Sequence, residues 1–221
     1  VSQLALLGSL SSGSSVYGSA LSPGSVTLSN VVSGDQVQVG SVTVNTAGNL
    51  SGAGKLKAGS YTGIESVGSA LTGADAGNYS FNGLTGDYSV SQLALTGVTI
   101  ASRSSVYISV VAASSESITN VVAGDVVNAS ASLVGTSLST GGKVNAGAYA
   151  QQVSTINGAD SGNYSLSSYT TPGNTYSVSQ LALLGSLSSG SSVYGSALSP
   201  GSVTLSNVVS GDQVQVGSVT V

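Results

Sequence analysis

The residues best placed to do chemistry lie in two copies of one acidic word. These are Gly73-Ala74-Asp75-Ala76-Gly77-Asn78-Tyr79-Ser80 and Gly158-Ala159-Asp160-Ser161-Gly162-Asn163-Tyr164-Ser165. Asp75, Asn78, Asp160 and Asn163 offer oxygen ligands to a hard cation such as Ca²⁺. A calcium loop gathers several carboxylates, whereas Asp-x-Gly-Asn brings one; the competing reading is a turn closed by Asx side-chain bonds and followed by a core tyrosine. A second candidate is Lys55 with Lys143, equivalent positions in a chain of three lysines. An intramolecular Lys to Asn or Asp isopeptide bond needs a buried carboxyl beside the pair, and no equivalently placed Glu is visible. A solvated strand-edge lysine is the alternative.

Other reactive constellations are missing. The 48 serines have no His to complete a triad and no Ser-x-x-Lys to supply a lysine base. Without Cys there is no disulfide framework, thiolate metal site or thiol nucleophile, and without His the commonest general base is absent too. The expectation is a protein that is not an enzyme and uses no cofactor.

Only 5% of residues are charged, against about 25% in an ordinary soluble domain, so hydroxyls and amides must carry the surface. The net charge of −4 comes from scattered acids with no basic run, which argues against nucleic acid and anionic membrane as partners. Ser, Gly or Asn interrupts every apolar stretch before the roughly 20 residues of a spanning helix, so no membrane insertion is expected. With no signal-like leader, the chain reads as an excerpt from a longer mature polypeptide.

What positions the acidic words is a tandem array. Residues Val1 to Val44 recur letter for letter as Val178 to Val221, and Val-Ser-Gln-Leu-Ala-Leu opens at Val1, Val90 and Val178. The units are 1–89, 90–177 and a truncated 178–221. Ser-Ser-Val-Tyr ends at Tyr17, Tyr107 and Tyr194; Asn-Val-Val-(Ser/Ala)-Gly-Asp ends at Asp35, Asp125 and Asp212. The signature set is therefore Tyr17, Asp35, Asp75, Asn78 and Tyr79, matched by Tyr107, Asp125, Asp160, Asn163 and Tyr164. Offsets between successive words shrink, which places the length differences in intervening loops.

Abundant Val, Thr, Ile and Tyr with frequent Gly predict an all-β chain in which helix is confined to isolated turns. Units of 88 or 89 residues suit tandem small β-sandwich domains of the immunoglobulin type; β-grasp-like units or a β-solenoid satisfy the same alternation. Gln36-Val37-Gln38-Val39 and Ser41-Val42-Thr43-Val44 alternate out of phase, making Gly40 a candidate bulge. Gly34-Asp35 reads as a tight turn, and Asn82-Gly83 and Asn157-Gly158 as local hairpins. The core is expected from Val, Leu, Ile and Ala with buried Tyr rings, namely Tyr17, Tyr61, Tyr79 and Tyr88 and their matches Tyr107, Tyr149, Tyr164 and Tyr176. The run Tyr88 to Leu95 joins two units without Pro or charge, predicting a strand across the junction and a stiff seam.

These words resemble the YDG-type and related MBG-type repeats of very large bacterial adhesins similar to filamentous haemagglutinin, exported by two-partner or comparable secretion. The strongest match is Leu71 to Ser80, echoed by Asn157 to Ser165; Val16-Tyr17 and Gly34-Asp35-Gln36-Val37 fall where the family has its Val-Tyr-Asp-Gly and Gly-Asp-x-Val words. The name-giving acid is missing, since Tyr17-Gly18-Ser19 and Tyr107-Ile108-Ser109 stand there. The resemblance implies an extracellular, surface-attached or matrix-associated fibre whose repeats act as a stalk. Neighbouring repeats would be the partners, with other fibre copies or surface glycans as further ones. Two alternatives stay open: a glycan- or cell-binding module built on exposed Tyr and Asn, and a laterally self-assembling filament. An ice-binding face would need sustained Thr-x-Thr ladders, and none is present.

Overall fold

The structure is a computed structural model that describes residues 1–111 and 114–221. The chain is all-β, and among the described residues helix is confined to two 3₁₀ turns, Ala76–Asn78 and Ser161–Asn163. Two compact units form. One comprises Val1–Val98, Ile118–Ala129 and Thr155–Ser167; the other comprises Thr99–Ser117, Ser130–Ser154 and Ser168–Val221. These divisions cut across the sequence periods, because the second period contributes segments to both units.

The first repeat carries ten strands: β1 (Leu4–Ala5), β2 (Gly8–Leu10), β3 (Gly13–Val16), β4 (Val26–Leu28), β5 (Gln38–Val39), β6 (Thr43–Val44), β7 (Gly59–Val67), β8 (Leu71–Thr72), β9 (Tyr79–Ser80) and β10 (Leu84–Ser91). The main sheet has the order β3-β10-β7-β6, with β10 antiparallel to β7 and parallel to β3. Three short pairs complete the repeat: β2 with β4 and β5 with β8 are antiparallel, β1 with β9 parallel. Alternation along β10 turns Tyr88 and Val90 inward and Ser89 and Ser91 outward, the two-residue period of a half-buried strand.

As its composition predicts, β10 crosses the junction between sequence periods, and it ends at Ser91 rather than running on to Leu95. Val90 and Ser91, the first residues of the second period, thereby finish the sheet of the first. Val90 is buried, and the Tyr17 N–H donates to Ser91 O at 2.9 Å. In the second unit, strand Tyr176–Ser179 repeats the device, with Tyr107 N–H donating to Ser179 O at 2.8 Å.

Several local expectations are corrected. Gly40 is not a bulge: β5 pairs with β8 and β6 with β7, so the chain changes sheets around Gly40. Gly34-Asp35 is a tight turn closed by Asp35 N–H to Val32 O at 3.0 Å with Gly34 at φ +98°, but the strands flanking it do not pair with each other. Asn82-Gly83 and Asn157-Gly158 are not hairpins either. Gly158, at φ +116°, occupies the framework place that Gly73 holds at φ +114°. A Cβ there would lie 2.4 Å from Val126 O, and at Gly73 2.1 Å from Gln36 O, so only glycine fits. The length difference is partly inside a strand, since β7 has nine residues and its counterpart Gly147–Val153 has seven.

Tyrosine dominates the cores. In the first unit Leu6, Val67, Tyr79 and Phe81 form one cluster, and Tyr17, Leu56, Tyr88, Val90, Leu95 and Tyr164 another. The second cluster mixes two sequence periods. In the second unit Tyr149, Tyr176 and Val178 form the core. Tyr61 and Tyr107 are half-buried, and the other six of the expected eight are buried. Among the described residues no helix is long and apolar enough to cross a membrane.

Candidate functional site

Two elements meet where consecutive periods join. The first is a hairpin from Leu50 to Leu56, tied by a β-bridge between those residues and by Ser51 N–H to Lys55 O at 2.9 Å. Gly54, at φ +69°, supplies the reversal. This tight loop leaves the amides of Gly52 and Ala53 without partners inside the hairpin, so they turn outward as donors. The second element is the Gly-Asp turn of the next period, which presents Asp125, together with the 3₁₀ turn that presents Asp160 and Asn163.

Asp125 is the centre of the contact. Its Oδ2 accepts from the Tyr17 hydroxyl of the first period and from the Tyr164 hydroxyl of the second at 2.6 Å. Its Oδ1 accepts from Ala53 N–H at 2.8 Å. The Tyr17 oxygen also lies 2.5 Å from Ser51 Oγ, and the two tyrosine rings stack edge to face with centroids 5.3 Å apart. Asp160 bridges as well, taking Gly52 N–H at 3.1 Å on Oδ1 and Val126 N–H at 2.9 Å on Oδ2. Asn163 Oδ1 takes Ala58 N–H at 2.9 Å. Each carboxylate or amide therefore satisfies a backbone donor that the neighbouring period leaves open.

The electrostatics follow from this crowding. Burial, then the hydrogen bond to Asp125, pushes the Tyr17 hydroxyl from 10.0 up to about 12, and the same two causes raise Tyr164. Burial alone would raise Asp125; the donors Tyr164, Tyr17, Ala53 N–H and Ser51 together outweigh it and hold the carboxyl below its ordinary value. The clasp is an ionised carboxylate ringed by neutral donors, the stronger class of hydrogen bond.

A second copy lies in the other unit. Tyr107 donates to Asp212 Oδ2 and sits 2.5 Å from Ser139 Oγ, while Gly141 N–H donates to Asp212 Oδ1 at 2.8 Å. Hydrogen bonds from Tyr107 and Ser139 hold Asp212 below its ordinary value, and Asp212 raises Tyr107. Around Asp35 the arrangement is partial: Tyr79 donates to Oδ2 at 2.5 Å and Asp75 Oδ2 takes Gln36 N–H at 2.8 Å, while Asn78 is exposed.

The signature residues thus converge, but across periods rather than within one. The acidic word is a 3₁₀ turn followed by a buried tyrosine. Its aspartate does not close its own turn, since neither Asp75 nor Asp160 makes a side-chain cap bond; each reaches across to another segment. Asp160 and Asn163 spend their oxygens on backbone N–H groups, and among the described residues no cluster of three or more His, Cys, Asp or Glu is poised for a metal. Lys55 and Lys143 are exposed in equivalent hairpin turns, the setting of a solvated lysine rather than of a buried isopeptide.

Three features escaped the motif reading. Ser51 and Ser139 sit beside the clasp. Asn30, Asn120 and Asn207 each clip their own period, as when Asn30 Oδ1 takes Leu7 N–H at 2.7 Å and its Nδ2 donates to Ala5 O at 2.8 Å. Their constant place at the head of Asn-Val-Val-x-Gly-Asp was the available signal. Glu65, fully buried, takes Gly13 N–H at 3.1 Å and Gly24 N–H at 2.9 Å; Gln151, equally buried, holds Ala101 O and Ser114 in its place. No family model matches the chain, and neither the curated proteins nor the solved structures contain a match to it.

Proposed function

We propose that the repeats are structural spacers of an extracellular fibre, in which each module is completed and locked by the next. The observation that carries this reading is Asp125, which gathers Tyr17 and Ala53 N–H of one period and Tyr164 of the following one, beside a strand that runs through the junction without a linker. Such a seam resists bending and pulling because separation must break several charge-assisted hydrogen bonds and expose tyrosine faces at once. Within this proposal the module is a small sandwich-like β unit whose closing strand end belongs to its successor. The uncharged, His-free and Cys-free composition suits a load-bearing role and offers no catalytic group. Burial of six of the eight motif tyrosines weighs against a glycan-binding surface, which needs its rings exposed. The adhesin resemblance adds the cell surface or biofilm matrix as the setting.

Electron microscopy of the native assembly tests the reading. A thin beaded thread with one density per period is the expected image. A broad filament of many laterally packed chains would replace the spacer with the self-assembly alternative.

A further inference from the structure

The second clasp holds an open groove where the first holds a peptide. In the first unit the segment Thr155–Ser167 is seated by a repeated set of contacts. Gln92 Nε2 donates to Gly162 O at 2.9 Å, Leu93 and Ala94 pair in parallel with Tyr164 and Ser165, and Leu95 N–H donates to Ser165 O at 2.8 Å. Val122 N–H donates to the Tyr164 oxygen at 3.0 Å, and Ala58 N–H reaches Asn163. The second unit presents the counterpart of every one of these groups: Gln180, Leu181 with Ala182, Leu183, Val209 and Ala146, around Asp212 and Tyr107. Most of them line a groove of about 500 Å³ that also contains Tyr107 and Asp212.

The differences between the two sites are those of a missing occupant. Leu95 is buried, whereas Leu183 is 40% exposed. Tyr17 is buried beneath the Tyr164 ring, whereas Tyr107 is only half-buried. Asp125 accepts two tyrosine hydroxyls, and Asp212 accepts one.

We propose that this groove is a docking site for a polypeptide segment carrying Gly-Ala-Asp-x-Gly-Asn-Tyr-Ser, taken up in trans in the geometry that Thr155–Ser167 adopts in the first unit. The incoming tyrosine stacks on Tyr107 and donates to Asp212, the asparagine accepts from Ala146 N–H, the aspartate accepts from Gln213 and Thr140 N–H, and the backbone adds a parallel strand to Leu181–Ala182. This is strand addition with a side-chain code, in which the backbone supplies affinity and the aspartate, asparagine and tyrosine supply selectivity. The site goes beyond the spacer role, since it makes a stretch of the repeat a recognition surface for its own sequence.

The test is titration of the full 221-residue chain with a synthetic peptide of residues 155–167, followed by NMR at Leu183 and Tyr107. Saturable binding at one site per chain is expected. Peptides carrying Tyr164→Phe or Asn163→Ala should bind roughly tenfold more weakly, as should the native peptide to the Asp212→Asn chain, each having lost one hydrogen bond at or beside a charged group. The peptide variants leave the protein untouched, so a folding defect in Asp212→Asn cannot mask the answer. Absence of saturable binding would overturn the proposal. So would equal binding of a scrambled peptide of the same composition, which would make the groove a generic apolar surface.

Discussion

Val1–Val44 and Val178–Val221 are the same 44 residues in two settings, and they do not adopt the same structure. Tyr17 is 1% exposed and Tyr194 is 105% exposed. What survives in both is local. Strand Gly185–Leu187 pairs with Val203–Leu205 in the register of β2 with β4, and Asn207 clips Leu184 and Ala182 as Asn30 clips Leu7 and Ala5. What differs is non-local: the stretches matching β3, β5 and β6 form no strands, because in the first copy those strands pair with β10, β8 and β7. A short hairpin holds its register from turn and clip alone, whereas a sheet needs partners that lie outside the 44 residues. The period of the sequence is therefore not the unit of cooperativity.

Removing the cover should make the first copy resemble the last. Tyr88→Ala empties the fully buried centre of β10 and is expected to cost about 4 kcal/mol, the scale of a large aromatic truncation in a core. Chemical denaturation measures the loss, and nitration mapped by mass spectrometry should find Tyr17 becoming as reactive as Tyr194. An unreactive Tyr17 in that variant would show that its burial does not depend on β10.

The next largest effect concerns the clasp. Asp125→Ala strands two tyrosine hydroxyls and one amide, and a loss of about 3 kcal/mol from the first unit is expected. Asp212→Ala should cost less, since only one tyrosine leans on it. Equal losses at the two sites would mean that Tyr164 contributes nothing to the clasp.

The same groups predict a pH dependence at both extremes. Asp125 has a depressed folded value, so its contribution is full above 3.8 and disappears as pH falls through the lower folded value. Tyr17 has a raised one, so its contribution is full below 10.0 and is lost as pH climbs from there to about 12. Denaturation midpoints across pH should therefore fall in acid and again above pH 10, with Asp125→Asn blunting the acid limb and Tyr17→Phe shrinking the alkaline one. Unchanged limbs in these variants would break the link between clasp and stability.

The smallest effect separates the first two periods. Ile108 holds φ +81° where Gly18 holds +83° and Gly195 +84°, a conformation that costs a β-branched residue about 1–2 kcal/mol. Ile108→Gly is expected to raise the stability of the second unit by about 1 kcal/mol, read as a higher midpoint. A fall would show that the exposed isoleucine contributes packing of greater value than the strain.

Much of this was legible in the chain. Strand character, the absence of long helix, the Tyr-based core and the strand through the junction all follow from alternation and composition, which act over a few residues. The clasp was half legible: repetition marked Tyr17, Asp125, Asp160, Asn163 and Tyr164 as signature residues, but nothing local says that Tyr17 meets an aspartate 108 positions away. A word repeated once per period fits pairing within its own period equally well, and only three-dimensional packing separates the two. Gly40 was misread for the same reason, because an out-of-phase alternation describes a bulge and a change of sheet alike. Gly158 was misread because Asn-Gly is a hairpin dipeptide only when the strands on either side pair with each other.

Amide hydrogen exchange on the intact chain tests the central claim most directly. If each period completes the one before it, the amides of Gly52, Ala53 and Ala58, which donate to Asp160, Asp125 and Asn163, should exchange as slowly as those in β7 and β10. At the second clasp Gly141, which donates to Asp212, should be protected, while Thr140 and Ala146, with no acceptor among the described residues, should exchange fast. Gly52 and Ala58 exchanging as fast as Thr140 and Ala146 would contradict the account.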